Sequence, residues 1–527
     1  MNYNSWHLIV PMSGQGIRFK NAGELIPKPF NHVANYPMIE RAISCYPSLW
    51  KKTFVLNESL KSSYWHNWLI EQYPKANIAF VPVHNTGPLL AVEEALKFVN
   101  KNEKLMITYC DFGFEWNLDE FELHLEQNGP DSCVMTYSGF HPHYLISTKF
   151  AFCRMQDQRV IEVREKENFS DNVLKEPASA GAYYFKNVEL LKDAIKFQRQ
   201  NNLNHKGEYY ISLTIEALIR SRPQSLVTIF KIPFFYQWGT PMDVAAFDYW
   251  YENIKLYRSK KSKIDSLSPE TLIVLAAGNG SRLKLSGETP KPWFGNGHRT
   301  IIECALDSFP NTENKIIIGK KEHRSFFNQT IRDKNVSFFE LNRATSGSAE
   351  TLKNFDFTKI NAVEKIAIAC CDFAFDLDPS KWKAIIKNQA DVFVVFTKNL
   401  PSFQINPTQY TILTLETHGG EEFVLNMNYK SQISKLNLGQ SSNSIFIGVL
   451  IFKNLQVLEN CLNYVFSNRL YTNNESSIDF MIESALIQKF KVVGLQTQSC
   501  FNFGDDASFM ESNYWKNALK NVDNFKS

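Results

Sequence analysis

The sequence predicts an α/β protein built as two copies of one domain, and three observations predict it. A glycine turn with an Arg and a Pro-Lys-Pro occurs twice: Pro11-Met12-Ser13-Gly14-Gln15-Gly16-Ile17-Arg18 leads to Pro27-Lys28-Pro29, and Leu275-Ala276-Ala277-Gly278-Asn279-Gly280-Ser281-Arg282 leads to Pro290-Lys291-Pro292. Matched residues keep a nearly constant separation: 264 from Gly14 to Gly278 and from Arg18 to Arg282, 263 from Lys28 to Lys291, 261 from Asp111 to Asp372, 267 from Gly181 to Gly448 and from Glu208 to Glu475, and 265 from Gly239 to Gly504. Short apolar strands alternate with helical stretches in both halves, the pattern of a sheet with crossover helices. Separations that drift by so little mean two complete copies with small loop changes, not a short-period solenoid.

Each copy opens with an apolar run, His7-Leu8-Ile9-Val10 or Thr271-Leu272-Ile273-Val274, which reads as a buried parallel strand entering a loop. Glycine lets that loop approach a triphosphate closely and turn its N–H groups toward it, while Arg and Lys add fixed positive charge. Further strands are expected at Lys315-Ile316-Ile317-Ile318 and Val392-Phe393-Val394-Val395-Phe396, and helices at Ala91 to Val99 and Ile478 to Gln488. Strand order is not legible in this pattern. Between the copies lies Arg258-Ser-Lys-Lys-Ser-Lys-Ile-Asp-Ser-Leu-Ser-Pro-Glu270, polar, basic and Ser-rich, which reads as a solvated linker rather than a binding patch. The expected division is therefore a first domain over 1–257, a linker over 258–270 and a second domain over 271–527.

Composition agrees with two globular domains. The 527 residues are 44% hydrophobic and 14% aromatic, and the net charge of +3 is small for that length, so neither nucleic acid nor an anionic membrane is expected as the main partner. No apolar run approaches the roughly 20 residues needed to cross a bilayer. The nine cysteines are odd in number and scattered without a Cys-x-x-Cys pair, and no charged-then-apolar leader precedes the first strand. A reduced, cytoplasmic protein is the expectation. Oligomeric state is not legible.

Three phosphate loops compete for the glycine turn. A dinucleotide-binding turn wants a third Gly where Phe19 and Leu283 stand, and a P-loop wants a closing Gly-Lys-Ser/Thr that neither copy has. What remains, G-x-G-x-R followed about ten residues later by P-K-P, resembles the signature of the sugar-phosphate nucleotidyltransferases, or nucleotide-sugar pyrophosphorylases. The resemblance extends through both halves: Asn35-Tyr36-Pro37-Met38-Ile39-Glu40, Thr86-Gly87-Pro88, Cys110-Asp111-Phe112, Arg164-Glu165-Lys166, Gly181 to Phe185 and Trp238-Gly239-Thr240-Pro241-Met242-Asp243 in the first. In the second it includes Thr345-Ser346-Gly347-Ser348-Ala349-Glu350-Thr351-Leu352, Cys371-Asp372-Phe373, Gly448 to Phe452 and Phe503-Gly504-Asp505-Asp506.

The resemblance implies two tandem Rossmann-like domains with mixed, mainly parallel central sheets. It also implies a reaction in which a sugar 1-phosphate, or similar phosphomonoester, attacks the α-phosphorus of an NTP and pyrophosphate leaves, for synthesis of an activated sugar or cell-surface precursor. By that similarity Ser13, Gly14, Gly16, Gly87, Gly278, Gly280 and Gly347 would hold the nucleotide, with Arg18 and Arg282 on the departing pyrophosphate. Lys28 and Lys291 would neutralise the reacting phosphates. Lys166 would clamp the acceptor phosphate, with Lys435 as the nearest counterpart in the second half. Asp111 and Asp372 would hold Mg2+ as hard oxygen ligands.

The chain also departs from the family's pattern. A second metal carboxylate is expected two residues before the Gly of the Trp-x-Gly-Thr-Pro-like motif, where Gln237 and Asn502 stand, neutral amides that hold Mg2+ less well. The alternative function is therefore that one or both halves bind a nucleotide or nucleotide-sugar without turning it over. Asp505-Asp506 replaces Thr-Pro and reads first as a surface turn, and the first half carries the fuller acceptor motifs. Cys110 and Cys371 read as small core residues. His141-Pro142-His143 lacks a Cys or acidic partner and reads as an exposed loop rather than a metal site. Glu208 could cap a helix or touch the acceptor.

Overall fold

The computed structural model describes residues 5–259, 269–295, 299–309, 312–343, 345–430, 443–472 and 475–520. The chain divides into two compact units between Asp248 and Tyr249, within the helix Pro241–Ser259, so that Tyr249 to Arg258 group with the second unit. Of the linker expected at 258–270, residues 260–268 lie outside the described residues.

In the first unit, Trp6–Pro11 runs parallel to Lys51–Asn57 on one side and Lys104–Thr108 on the other, and Asn77–Val81 extends the parallel order outward. A strand covered on both faces must be apolar along its length, and Leu8, Ile9 and Val10 are all fully buried. Past Lys104–Thr108 the pairing turns antiparallel. Ala178–Phe185 lies there, its register slipping between Ser179 and Tyr183 around Gly181 at φ +75°. The hairpin Ala151–Gln156 with Arg159–Glu165 forms that edge. A separate ribbon pairs Phe112–Glu115 with Phe234–Gln237.

The second unit repeats this plan. Thr271–Ala276 runs parallel to Asn314–Lys320 and Ile366–Cys370, with Val336–Leu341 outside. Ser444–Phe452 is antiparallel to Ile366–Cys370, and its Gly448 has φ +73°, matching Gly181. The ribbon is Phe373–Asp376 with Ser499–Asn502. Both sheets are mixed. Parallel order is confined to four adjacent strands and one further pair in each, and the remaining pairings are antiparallel. Since the four parallel strands point one way, their C-terminal ends open on a single edge, where ligands of such sheets are usually bound.

One loop differs from its expectation. His141 and His143 are 2% and 7% exposed, packed with Tyr137, Tyr144 and Phe150 in an aromatic cluster where Tyr137 Oη lies 2.9 Å from His143 Nε2. The surrounding rings pay for burying the imidazoles, and burial pushes both pKa values down. Cys110 and Cys371 are buried as expected, and burial pushes the Cys110 thiol up to about 12. Among the described residues no helix is long and apolar enough to cross a membrane.

Candidate active sites

In the first unit the chain leaves Trp6–Pro11 through a turn pinned by Met12 N–H donating to Val55 O (2.9 Å) and Asn57 Nδ2 donating to Ser13 O (3.3 Å). Ser13 is buried, its Oγ 3.4 Å from His84 Nε2. Gly16, at φ +63°, starts the short helix Ile17–Asn21 that carries Arg18. A Cβ on Gly16 would lie 3.0 Å from Cβ of Lys28, so glycine is what allows the lysine stem to pass beneath the turn. Lys28 Nζ then reaches Asp111 Oδ2 at 2.5 Å. Ser13, Gly14, Gly16, Arg18, Lys28, Gly87 and Asp111 line one cleft of about 360 Å³.

The same cleft is bordered by Glu208 and Tyr210. Lys166, in left-handed conformation at φ +62° after the strand Arg159–Glu165, donates from Nζ to Tyr210 Oη (2.5 Å) and lies 3.6 Å from Glu208 Oε2. Tyr210 donates in turn to Glu208 Oε2. Glu208 therefore belongs to the cleft: the helix Ile211–Ser221 has no side-chain cap.

The second unit builds its turn the same way. Gly280 has φ +64°, and a Cβ there would lie 2.7 Å from Cβ of Lys291. Lys291 is buried, with Nζ 2.8 Å from both Asp372 Oδ1 and the Gly504 carbonyl oxygen it donates to. Arg282 approaches the other oxygen of Asp372 at 3.5 Å. Burial pushes the Asp372 carboxyl up, but the Lys291 and Arg282 charges outweigh it and hold the pKa below the ordinary range. Gly278, Gly280, Arg282, Lys291, Gly347 and Asp372 line a cleft of about 650 Å³. Every site residue expected within the described residues is thus gathered at one of the two clefts.

Lys435 lies outside the described residues. Sequence reasoning missed Lys430, which lines the second cleft with Glu475, Ser477 and Asp479. It stands 264 residues after Lys166, the same separation as Gly14 and Gly278, so the repeat itself carried the signal. Burial acts to lower the Lys430 pKa, yet the Asp479, Tyr429 and Glu475 groups raise it overall.

Asp243 was also missed as a site residue. A Cβ on Gly239 would lie 3.7 Å from Asp243 Oδ2 and 3.8 Å from Asp111 Oδ2, so two carboxylates converge beside that glycine. Burial, and after the opposing bonds from Thr240 the Asp111 charge, raise the Asp243 pKa. In the second unit Ser508 stands at the position of Asp243, and the neighbour of Asp372 beside Gly504 is Asn502, the counterpart of Gln237, whose Oδ1 accepts from Gly504 N–H (2.9 Å) while its Nδ2 donates to Tyr410 Oη (2.8 Å) and Ser508 Oγ (3.1 Å). Asn502 is a buried structural amide. Asp505-Asp506 is a helix start rather than a plain surface turn: Asp505 accepts from Ser508 N–H (2.8 Å), and Asp506 accepts from Leu285 N–H (2.9 Å). Among the described residues no three His, Cys, Asp or Glu side chains converge as a metal cluster.

The chain is similar in fold to proteins of known structure. One is a nucleoside-diphosphate-sugar pyrophosphorylase from Vibrio cholerae RC9, 18% identical, with a TM-score of 0.38, the match covering 46% of this chain and 99% of the other. Another is an inositol-1-phosphate CTP transferase from T. maritima, 15% identical, with a TM-score of 0.38, covering 48% of this chain and 97% of the other. No family model and no curated protein matches the chain.

Proposed function

We propose that the chain is a tandem nucleotidyltransferase that joins an NTP to a sugar 1-phosphate or similar phosphomonoester and releases pyrophosphate. The observation that carries this reading is the duplicated pairing of a turn lysine with a strand-end aspartate, Lys28 with Asp111 and Lys291 with Asp372, each beneath a glycine turn. Transfer of this kind asks a protein for positioning and charge neutralisation more than for covalent chemistry. An acceptor phosphate oxygen forms a bond to the α-phosphorus, and the bond from that phosphorus to the bridging oxygen of the β-phosphate breaks. The electron pair leaves with pyrophosphate.

In this reading the backbone N–H groups around Gly14 and Gly278 face the triphosphate, Arg18 and Arg282 meet the leaving pyrophosphate, and Lys28 and Lys291 offset charge at the reacting centre. Lys166 and Lys430 receive the acceptor phosphate. The converging Asp111 and Asp243 would hold a hard divalent cation such as Mg2+. Asp372 is the corresponding ligand in the second half, with no second carboxylate at the Asn502 position. A cation held there would neutralise triphosphate charge.

The experiment is a screen of the purified chain with Mg2+ against four NTPs and a panel of phosphomonoesters, reading pyrophosphate release. Release that requires both substrates supports the reading. NTP binding without turnover across the panel overturns it in favour of nucleotide-binding modules.

A further inference from the structure

The two halves differ beside the acceptor lysine in a reciprocal way. In the first, the residue before Lys166 is Glu165, whose Oε2 accepts a hydrogen bond from the fully buried Ser212 Oγ at 2.5 Å. The residue matching Glu165, 264 positions on, is Tyr429, and the residue matching Ser212, 267 positions on, is Asp479. Carboxylate and neutral partner have changed places between strand and helix start. Tyr429 stacks on Phe480 with ring centroids 4.6 Å apart, which leaves the strand side of Lys430 without an acid. Asp479 faces the cleft from the other side, 8% exposed, accepting from Thr411 Oγ1 at 2.5 Å and from Ser477 Oγ. Two hydroxyl donors on one buried carboxylate hold it in one orientation.

We propose that Asp479 is the positioning residue of the second acceptor site, aligning the Lys430 ammonium from the helix start as Glu165 flanks Lys166 from the strand. The inference rests on the reading of Lys430 as the acceptor-phosphate lysine. It makes the second half a complete acceptor site with a relocated acid, although its motif there departs from Arg-Glu-Lys. Besides Asp479, the charged and titratable groups around Lys430 are Glu475, Tyr429 and Arg282, so the lysine keeps one carboxylate neighbour when Asp479 is neutralised.

The test compares the full chain with Asp479→Asn and with Asp479→Asn/Tyr429→Glu, which returns the acid to the side it occupies in the first half. Acylation of Lys430 by an amine-reactive ester at pH 8, followed by peptide mass spectrometry, should run about three- to tenfold faster in Asp479→Asn, because losing a nearby negative charge favours the neutral amine. The double variant should return toward the wild-type rate. Lys166 acylation in the same sample serves as the internal reference, and a circular-dichroism melt confirms that each variant is folded. For any substrate pair turned over by the second half, Asp479→Asn should raise KM for the phosphomonoester about tenfold and leave KM for the NTP unchanged. An unchanged Lys430 rate in folded Asp479→Asn, or an equal rise in both KM values, overturns the inference. If the wild type releases no pyrophosphate with any pair, the proposed function fails, while the acylation rates still decide whether Asp479 governs Lys430.

Discussion

Gly87 is packed against the backbone of Tyr209: a Cβ on Gly87 would lie 2.7 Å from both N and O of Tyr209, whose N–H donates to Thr86 O at 2.8 Å. The second half repeats the relationship between Gly347 and Ser476, whose carbonyl oxygen accepts from Ala349 N–H at 3.0 Å. Position 87 also has φ +84°, where a side chain is disfavoured in its own right. Gly87→Ala should therefore cost about 2–4 kcal/mol and loosen the loop that borders the first cleft. Thermal melts with and without NTP check this. A variant that melts and binds nucleotide like the wild type would remove the close approach as a requirement.

The two turn lysines should separate in stability. Lys291 and Asp372 have side chains 6% and 22% exposed, against 20% and 27% for Lys28 and Asp111. Truncating a buried partner leaves an uncompensated charge, so Lys291→Ala should destabilise by about 3 kcal/mol, whereas Lys28→Ala should stay near 1 kcal/mol. Urea unfolding followed by a probe in each half measures the difference. Equal losses would show that solvent screens both pairs alike.

Activity should follow the same lysines within their own halves. Removing one charge-neutralising group from a transfer site typically lowers kcat about a hundredfold. Lys28→Ala, Lys291→Ala and the double variant, assayed on each active substrate pair, assign each reaction to a half. If neither single variant slows any reaction, the proposed role of the turns is wrong.

The metal reading predicts an asymmetry. Asp111→Asn and Asp243→Asn should each raise the Mg2+ concentration needed for half-maximal turnover in the first half. Asn502→Asp should do little for the second, because the Asn502 amide is already engaged on both its oxygen and its nitrogen. Mg2+ titrations of pyrophosphate release read this directly. A strong gain of Mg2+ affinity in Asn502→Asp would show that the amide was only a missing ligand.

Glu511 supplies a pH test of stability. It is fully buried beside Trp250, whose Nε1–H donates to Glu511 Oε1 at 3.2 Å, and burial together with the Asp505 charge raises its carboxyl to about 7 against that hydrogen bond. The folded state therefore keeps this proton between the ordinary carboxyl range and pH 7 while the unfolded state releases it, so the contribution is present at low pH and is lost as pH rises through that window. Glu511→Gln should melt like the wild type near pH 4.5 and higher than it at pH 8, by an amount on the order of 3 kcal/mol at most. Identical melting temperatures at pH 8 would mean that the carboxyl is not held protonated.

Local chemistry made the duplication, the α/β class and most of the two sites legible before any coordinates. An apolar strand run, a glycine where a lysine stem must pass and an aspartate at a strand end are each written in a few adjacent residues, and their repetition at a constant separation marks them as one device. Only tertiary structure decided what depends on distant segments meeting. Asp243 becomes the neighbour of Asp111 because the ribbon Phe112–Glu115 with Phe234–Gln237 carries both to Gly239. Lys430 lines one cleft with Asp479 because the end of the strand Glu421–Asn428 and the start of the helix Phe480–Ile487 meet there, and Asn502 is engaged in its own turn. The histidines of His141-Pro142-His143, polar in sequence, are buried because aromatic side chains from several elements close over them. Neighbours along the chain are set by composition and spacing, whereas neighbours across a sheet edge are set by topology, which one sequence does not spell out.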